Sequence, residues 1–144
     1  MRNLVATAFA GLVCFASPAL ASGLKIEIAG EGANGTVVID LLENVAPKHV
    51  AQITTLASEG AYDGVVFHRV IDGFMAQTGD VEFGKAGADV RRAGTGGSRL
   101  PDINAEFSDE RFLRGVVGMA RSQNPNSANS QFFTLTVLPR RFFW

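Results

Sequence analysis

The chain has 144 residues, with 13 lysines and arginines against 14 aspartates and glutamates and a formal net charge of −1. That balance excludes the basic footprint of a nucleic-acid binder or of a protein drawn to anionic membranes. One cysteine and two histidines exclude a disulfide framework, and no third ligand stands at a metal-binding spacing.

The first element in chain order is a leader. Arg2 precedes an apolar run from Leu4 to Ala16, and Ala19-Leu20-Ala21 precedes Ser22. This predicts a secretory signal peptide over residues 1–21, cut after Ala21. The run is too short to span a bilayer, and Val13 before Cys14 argues against a lipoprotein cleavage site. The expected product is one domain over residues 22–144, secreted to the periplasm, monomeric and without membrane attachment.

Leu24, Ile26 and Ile28 alternate with Lys25, Glu27 and Ala29, and Val37, Ile39 and Leu41 alternate again after a glycine-rich turn. Together they predict a β-hairpin with one buried face. From Pro47 the period changes: Val50, Ile53, Leu56 and Ala57 form the stripe of a helix over about residues 47–59, with Gly60 just past its end. On this helix His49 is expected to be exposed. Val65–Ile71 and Phe74–Thr78 read as strands, residues 81–100 as a long glycine-rich loop, and Val116–Ala120 and Gln131–Val137 as two more strands. Many short strands with one helix and no βαβ rhythm predict an antiparallel barrel or sandwich.

Few residues in this scheme can do chemistry. The serines lack a nucleophile elbow. The GTGGS of Gly94 to Ser98 lacks the lysine of a phosphate loop and reads as a flexible surface turn. Asp72, Asp80, Asp89, Asp102 and Glu106 lie near turns, where solvated acids are ordinary. Arg69 stands out because its strand is otherwise β-branched and aromatic, and because Phe74, Met75, Gln77 and Gln131 offer apolar surface and amides nearby. If Arg69 faces a groove, alternation turns His68 to the interior as a neutral, hydrogen-bonded core histidine.

Three segments in order, FHRVIDGFMAQTGD, GTGG and GMARSQNPNSANSQFF, make the chain from about Gly35 to Phe133 resemble the cyclophilin family of peptidyl-prolyl cis-trans isomerases, in its bacterial secreted form. The resemblance implies an antiparallel cyclophilin-like barrel with the active groove on its outer surface. It implies Arg69, Phe74 and Gln77 as catalytic residues, with Met75 and Phe133 beside Phe74 in a proline pocket. Gln131 would hydrogen-bond next to it, and Gly94, Ala120, Arg121 and Ser122 would line the groove for the peptide backbone. The partners implied are unfolded or flexible proline-containing polypeptides, and no cofactor or metal is needed. Thr78 stands where the family usually has glycine, and Arg121 where many members have asparagine. Phe74 and Gln77 have opposite parity on a flat strand, so a kink near Gly73 is expected.

Beyond the Ser-Gln-Phe-Phe strand the resemblance stops. The family's last strands and second helix have no counterpart, and neither Leu138 nor Trp144 stands at the spacing of a pocket residue. Thr134–Pro139 can be encoded by a string that reads Leu-Asp-Arg-Ala-Pro from its third nucleotide, a phrase similar to what bacterial members carry there. A frameshift near Phe133–Thr134 is therefore expected, leaving an open barrel with exposed strand edges and a strip of bare core. The function expected is acceleration of X-Pro rotation during folding of exported proteins. A proline-peptide binding module without turnover, or an inactive truncated product, are the alternatives.

Overall fold

The computed structural model describes residues 23–136. The leader, Val137, Leu138 and Trp144 lie outside the described residues.

The predicted hairpin is formed by β1 (Gly23–Ile28) and β2 (Gly35–Asp40), antiparallel with Gly23 opposite Asp40 and Ile28 opposite Gly35. Its expected buried face is not realised: Leu24, Ile26, Ile28 and Ile39 are only half-buried and Val37 is exposed, because no other described strand pairs with the hairpin. The helix α1 (Pro47–Ser58) follows, with Val50, Ile53 and Leu56 of the predicted stripe buried. The remaining strands are β3 (Arg69–Ile71), β4 (Met75–Thr78), β5 (Val117–Met119) and β6 (Phe132–Leu135). They make a four-stranded antiparallel sheet in the order β3-β4-β6-β5. Among the described residues the hairpin is a separate two-stranded sheet, so no closed barrel forms. Val38 and Val70 accordingly remain 69% and 65% exposed.

The strands are shorter than the β-branched runs that encode them. Of Val65–Ile71 only the last three residues pair as a strand, and Val65 instead makes an isolated bridge to Lys85. Val66 leaves the ladder because its N–H donates to Gly84 O and its carbonyl accepts from Thr78 Oγ1. Thr78 therefore fits its position easily: among the described residues none other than glycine has a positive φ, and its buried hydroxyl is satisfied. Phe74 lies in the turn before β4, its N–H donating to Ile71 O, with Gly73 at φ +67°. Strand alternation thus does not govern Phe74 at all, which is how the predicted kink is realised. Thr134 and Leu135, beyond the expected change of reading frame, still pair with β4 and hold Leu135 buried opposite Met75.

The start of α1 overturns two expectations. Its N-cap residue, Ala46, has no side chain able to cap, and no acid stands in the first turn. The missing acceptor comes from far along the chain. The Glu106 carboxylate accepts from Lys48 N and His49 N at 3.1 Å and pairs with His49 Nδ1 at 2.6 Å. His49 is not exposed and Glu106 is not a solvated turn acid: their side chains are 12% and 11% exposed. Two orphan N–H groups and the positive end of the helix dipole converge on one carboxylate. Gln52 Nε2 ties the same helix to the carbonyls of Pro101 and Asn129.

Burial alone would raise the Glu106 carboxyl, but the His49 ring and the two backbone donors outweigh it and hold the pKa below its ordinary value of 4.5. A depressed carboxyl stabilises the fold above its unfolded pKa, and the contribution disappears as pH falls through the folded value. Glu106→Gln is therefore expected to lower stability at neutral pH by about 1 kcal/mol. Urea unfolding should show the gap closing as pH falls from 4.5 through the lower folded value, where the wild-type carboxyl takes up its proton.

Candidate functional site

The register of the four-stranded sheet sets the site. Arg69 lies opposite Gln77, Gln77 opposite Phe133, and Phe133 opposite Gly118. Residues directly opposite one another project to the same face, so these form one row across all four strands. Strands lie about 4.8 Å apart, which puts the backbones of Arg69 and Phe133 about 10 Å from each other. Arg69 is exposed and, among the described residues, makes no ion pair. Gly118 has no side chain because aromatic rings occupy its space: a Cβ there would come within 2.5 Å of Phe112 and 3.0 Å of Phe133. The two rings stack with centroids 6.0 Å apart, so Phe112 backs Phe133 from the β5 side, a contact that sequence reasoning missed.

Beside this row runs a groove of about 260 Å³. Its walls include Gln77, Gly94, Ala120, Arg121, Ser122 and Gln131, six of the ten residues singled out in the sequence. Arg69 and Phe133 flank it through the cross-strand row. Met75 is two residues from Gln77 on the same strand and only 3% exposed, so it sits as packing rather than as open surface. Phe74 is half-buried in the turn preceding β4, and its carbonyl accepts from Thr136 N.

The groove's amides are locked. Gln77 Nε2 donates to Gln131 Oε1 at 2.9 Å, and Gln131 Nε2 donates to Gly96 O at 2.8 Å. Gly96 is held in turn by Asp80. This aspartate is fully buried, and its carboxylate accepts from the N–H groups of Glu82 and Phe83 on one oxygen and of Gly94 and Gly96 on the other. The GTGGS segment is consequently neither a phosphate loop nor a free surface turn, because its N–H groups already bind an internal anion. Burial pushes the Asp80 carboxyl up, but the four donors, from Phe83, Gly96, Gly94 and Glu82, outweigh it and hold the pKa below its ordinary value.

His68 does turn inward, as expected. Both ring nitrogens are buried, and among the described residues neither has a well-aligned hydrogen bond, although the Gln131 amide stands close enough to act on the ring. Gly94 packs over the ring, where a Cβ would stand 2.9 Å from Cδ2. Burial pushes the imidazole below its ordinary pKa; Asp80 and the nearby Gln131 amide oppose this, and Arg69 reinforces it. The ring is thus neutral filling beneath the groove wall. No group of three or more histidine, cysteine or acidic side chains able to hold a metal occurs among the described residues.

The profile of the family described as cyclophilin type peptidyl-prolyl cis-trans isomerase/CLD matches residues 24–140. The chain belongs to this family. A probable peptidyl-prolyl cis-trans isomerase of Brucella suis biovar 1 is 66% identical over 104 residues, which are 71% of this chain and 53% of that protein. A putative peptidyl-prolyl cis-trans isomerase of Staphylococcus haemolyticus is 39% identical over 116 residues, 78% of this chain and 54% of that one. The chain thus spans about half the length of the curated relatives it matches. Among solved structures, cyclophilin AquaCyp293 from Hirschia baltica superposes with a TM-score of 0.59 at 28% identity, covering 74% of this chain and 55% of that one. A Cryptosporidium parvum cyclophilin-type isomerase, crystallised in the presence of the dipeptide Ala-Pro, gives 0.62 at 28% identity, covering 73% of this chain and 64% of that one.

The Asp80 carboxylate organises the groove wall, and its loss leaves buried donors without an acceptor. Asp80→Asn is expected to lower folding stability by about 2–3 kcal/mol. It should also speed amide hydrogen exchange at Gly94 and Gly96. Asp89→Asn in the same loop, where the carboxylate is exposed, should leave the urea midpoint essentially unchanged.

Proposed function

We propose that this protein accelerates cis-trans rotation about X-Pro bonds, with Arg69 as the catalytic group. The observation that carries the reading is the placement of Arg69: exposed, without a carboxylate partner among the described residues, and in one cross-strand row with Gln77 and Phe133. Rotation breaks amide resonance and meets a barrier of about 18–20 kcal/mol. In the twisted state the proline nitrogen becomes pyramidal and regains a lone pair. A fixed guanidinium can donate to that lone pair and cannot donate to the planar amide, so the bond forms only at the top of the barrier.

Phe133, backed by Phe112, offers an apolar flank against which a proline ring rests while the rest of the peptide turns. The Gln77–Gln131–Gly96 chain presents fixed amides to the peptide backbone beside it. Proton transfer and covalent bonding play no part in this scheme. The presence of Ala-Pro in the crystals of the Cryptosporidium neighbour supports a proline-containing ligand class. The leader predicted over residues 1–21 supports exported proteins, folding in the periplasm, as the clients.

Arg69→Ala is expected to lower turnover by about 10²–10³-fold while largely keeping peptide affinity, measured by a cis-trans exchange assay beside a binding titration. Equal losses in both would make Arg69 a substrate anchor, and binding without turnover in the wild type would make the protein a peptide-binding module. Activity is also expected to change by less than about twofold between about pH 6 and pH 8, since a guanidinium keeps its charge there and the mechanism moves no proton. His68 follows the same direction: with its pKa depressed, its contribution to stability is complete above 6.5 and is lost only as pH falls through the folded value. A bell-shaped pH–rate profile would overturn the scheme.

A further inference from the structure

One wall of the groove that Gln77 and Gln131 line carries a cation that the rotation chemistry does not use. Arg121 is exposed at that wall. Its Nη1 donates to Ser122 O at 2.9 Å and more weakly to Gln123 O at 3.5 Å, folding the guanidinium back over its own loop. Among the described residues, Nε and Nη2 have no partner.

The loop below is tied down. Ser127 Oγ accepts from Ser122 N at 2.9 Å and donates to Asn124 O at 2.7 Å, while Asn124 Oδ1 accepts from Asn126 N at 3.0 Å. The cation is therefore presented from a fixed backbone, which limits the ordering cost of meeting a ligand.

The charge around it is one-sided. Among the described residues no acidic side chain lines the groove, and neither Arg121 nor Arg69 enters an ion pair. Acids stand behind the lining and not in it: the Asp80 carboxylate is engaged by four N–H groups, the Asp102 carboxylate accepts from Asn129 Nδ2 at 3.0 Å, and the Glu82 side chain packs behind Gly96. On a chain of net charge −1, the groove is a local positive site.

We infer that Arg121 gives the groove a preference for peptides carrying a carboxylate side chain, aspartate or glutamate, close to the proline and on the side that enters this groove. The inference rests on the reading of the groove as the peptide site. Arg69 acts on charge that appears only in the twisted state, whereas a substrate carboxylate is charged throughout. Arg121 therefore acts on KM and affinity, not on kcat. A half-open ion pair of this kind supports a discrimination of about two- to fivefold, decreasing as salt shortens the screening length to about 8 Å at physiological ionic strength.

The test uses the full chain and matched proline peptides that differ only in carrying Glu, Gln or Lys at each position flanking the proline. Affinity is read by titration and turnover by cis-trans exchange, at low and physiological salt. In the wild type the Glu peptide should exceed the Lys peptide by about two- to fivefold in affinity and in kcat/KM at one flank, with kcat little changed. The ratio should approach one in Arg121→Gln and invert in Arg121→Glu. A wild-type ratio near one, or one that Arg121→Gln leaves in place, overturns the inference. Peptides that bind with the predicted ratio but are not isomerised uphold the inference and refute the isomerase reading; a chain that binds none of them refutes both.

Discussion

A fully buried carboxylate is tolerable only when hydrogen bonds replace its water, and Asp80 meets that condition with four backbone donors. The constraint acts on function because of where the donors come from. Two belong to the turn just after β4 and two to the glycine segment fourteen and sixteen residues on. The carboxylate therefore closes a loop that composition alone would leave mobile, and sets it against the sheet. Gly96 passes the constraint on through its carbonyl to Gln131, and Gln131 through its amide oxygen to Gln77. From a buried charge to the neighbour of the exposed arginine there are three hydrogen-bonded steps.

The sheet contributes the other half of the geometry. A cross-strand row fixes neighbours by register, and a slip of one residue would send Arg69 to the face of Val70. Register is in turn protected from both sides of β4 and β6. Met75 and Leu135 are buried opposite each other on one face, Thr78 and Phe132 on the other, with Tyr62 edge-on to Phe132 at 5.8 Å. Two-sided burial penalises any shift, so an exposed cation can be held in place by the packing of its neighbours without partners of its own.

What the sequence made legible follows the range of the interactions involved. The hairpin and α1 are local patterns, and both formed where alternation and the helical stripe placed them. Six of the ten site residues came together in one groove because the motifs that carry the family resemblance also carry its register. The failures are two acids, Glu106 and Asp80, and one histidine, His49, which have partners far along the chain. Glu106 caps a helix that begins 59 residues earlier, and Asp80 reaches forward to Gly96. Nothing adjacent to either acid distinguishes it from Asp89, which is exposed beside Arg91. One signal was available for Glu106: a helix starting at Ala46-Pro47 has no capping side chain of its own, so an acceptor had to come from elsewhere. Phe74 is a smaller difference: the strand expected from Phe74 starts at Met75, and Phe74 lies in the turn that realises the kink expected near Gly73.

The division of labour between the two sheets bears on what the groove needs in order to exist. Most contacts that shape it lie within β3, β4, β5 and β6 or in the loops that join them: the Arg69 row, the Asp80 bonds, the glutamine pair and the tied loop from Ser122 to Ser127. From outside them, Gln52 of α1 donates to Asn129 O and Tyr62 to Ser130 O. The β1–β2 hairpin enters none of these. Its Val38, like Val70 of β3, presents apolar surface outward, and an open β-sheet with such surface has less burial to set against the entropy of ordering the chain. Groove geometry thus depends on a short list of hydrogen bonds anchored at one buried charge, and that same charge contributes to folding stability beside the apolar surface the chain covers.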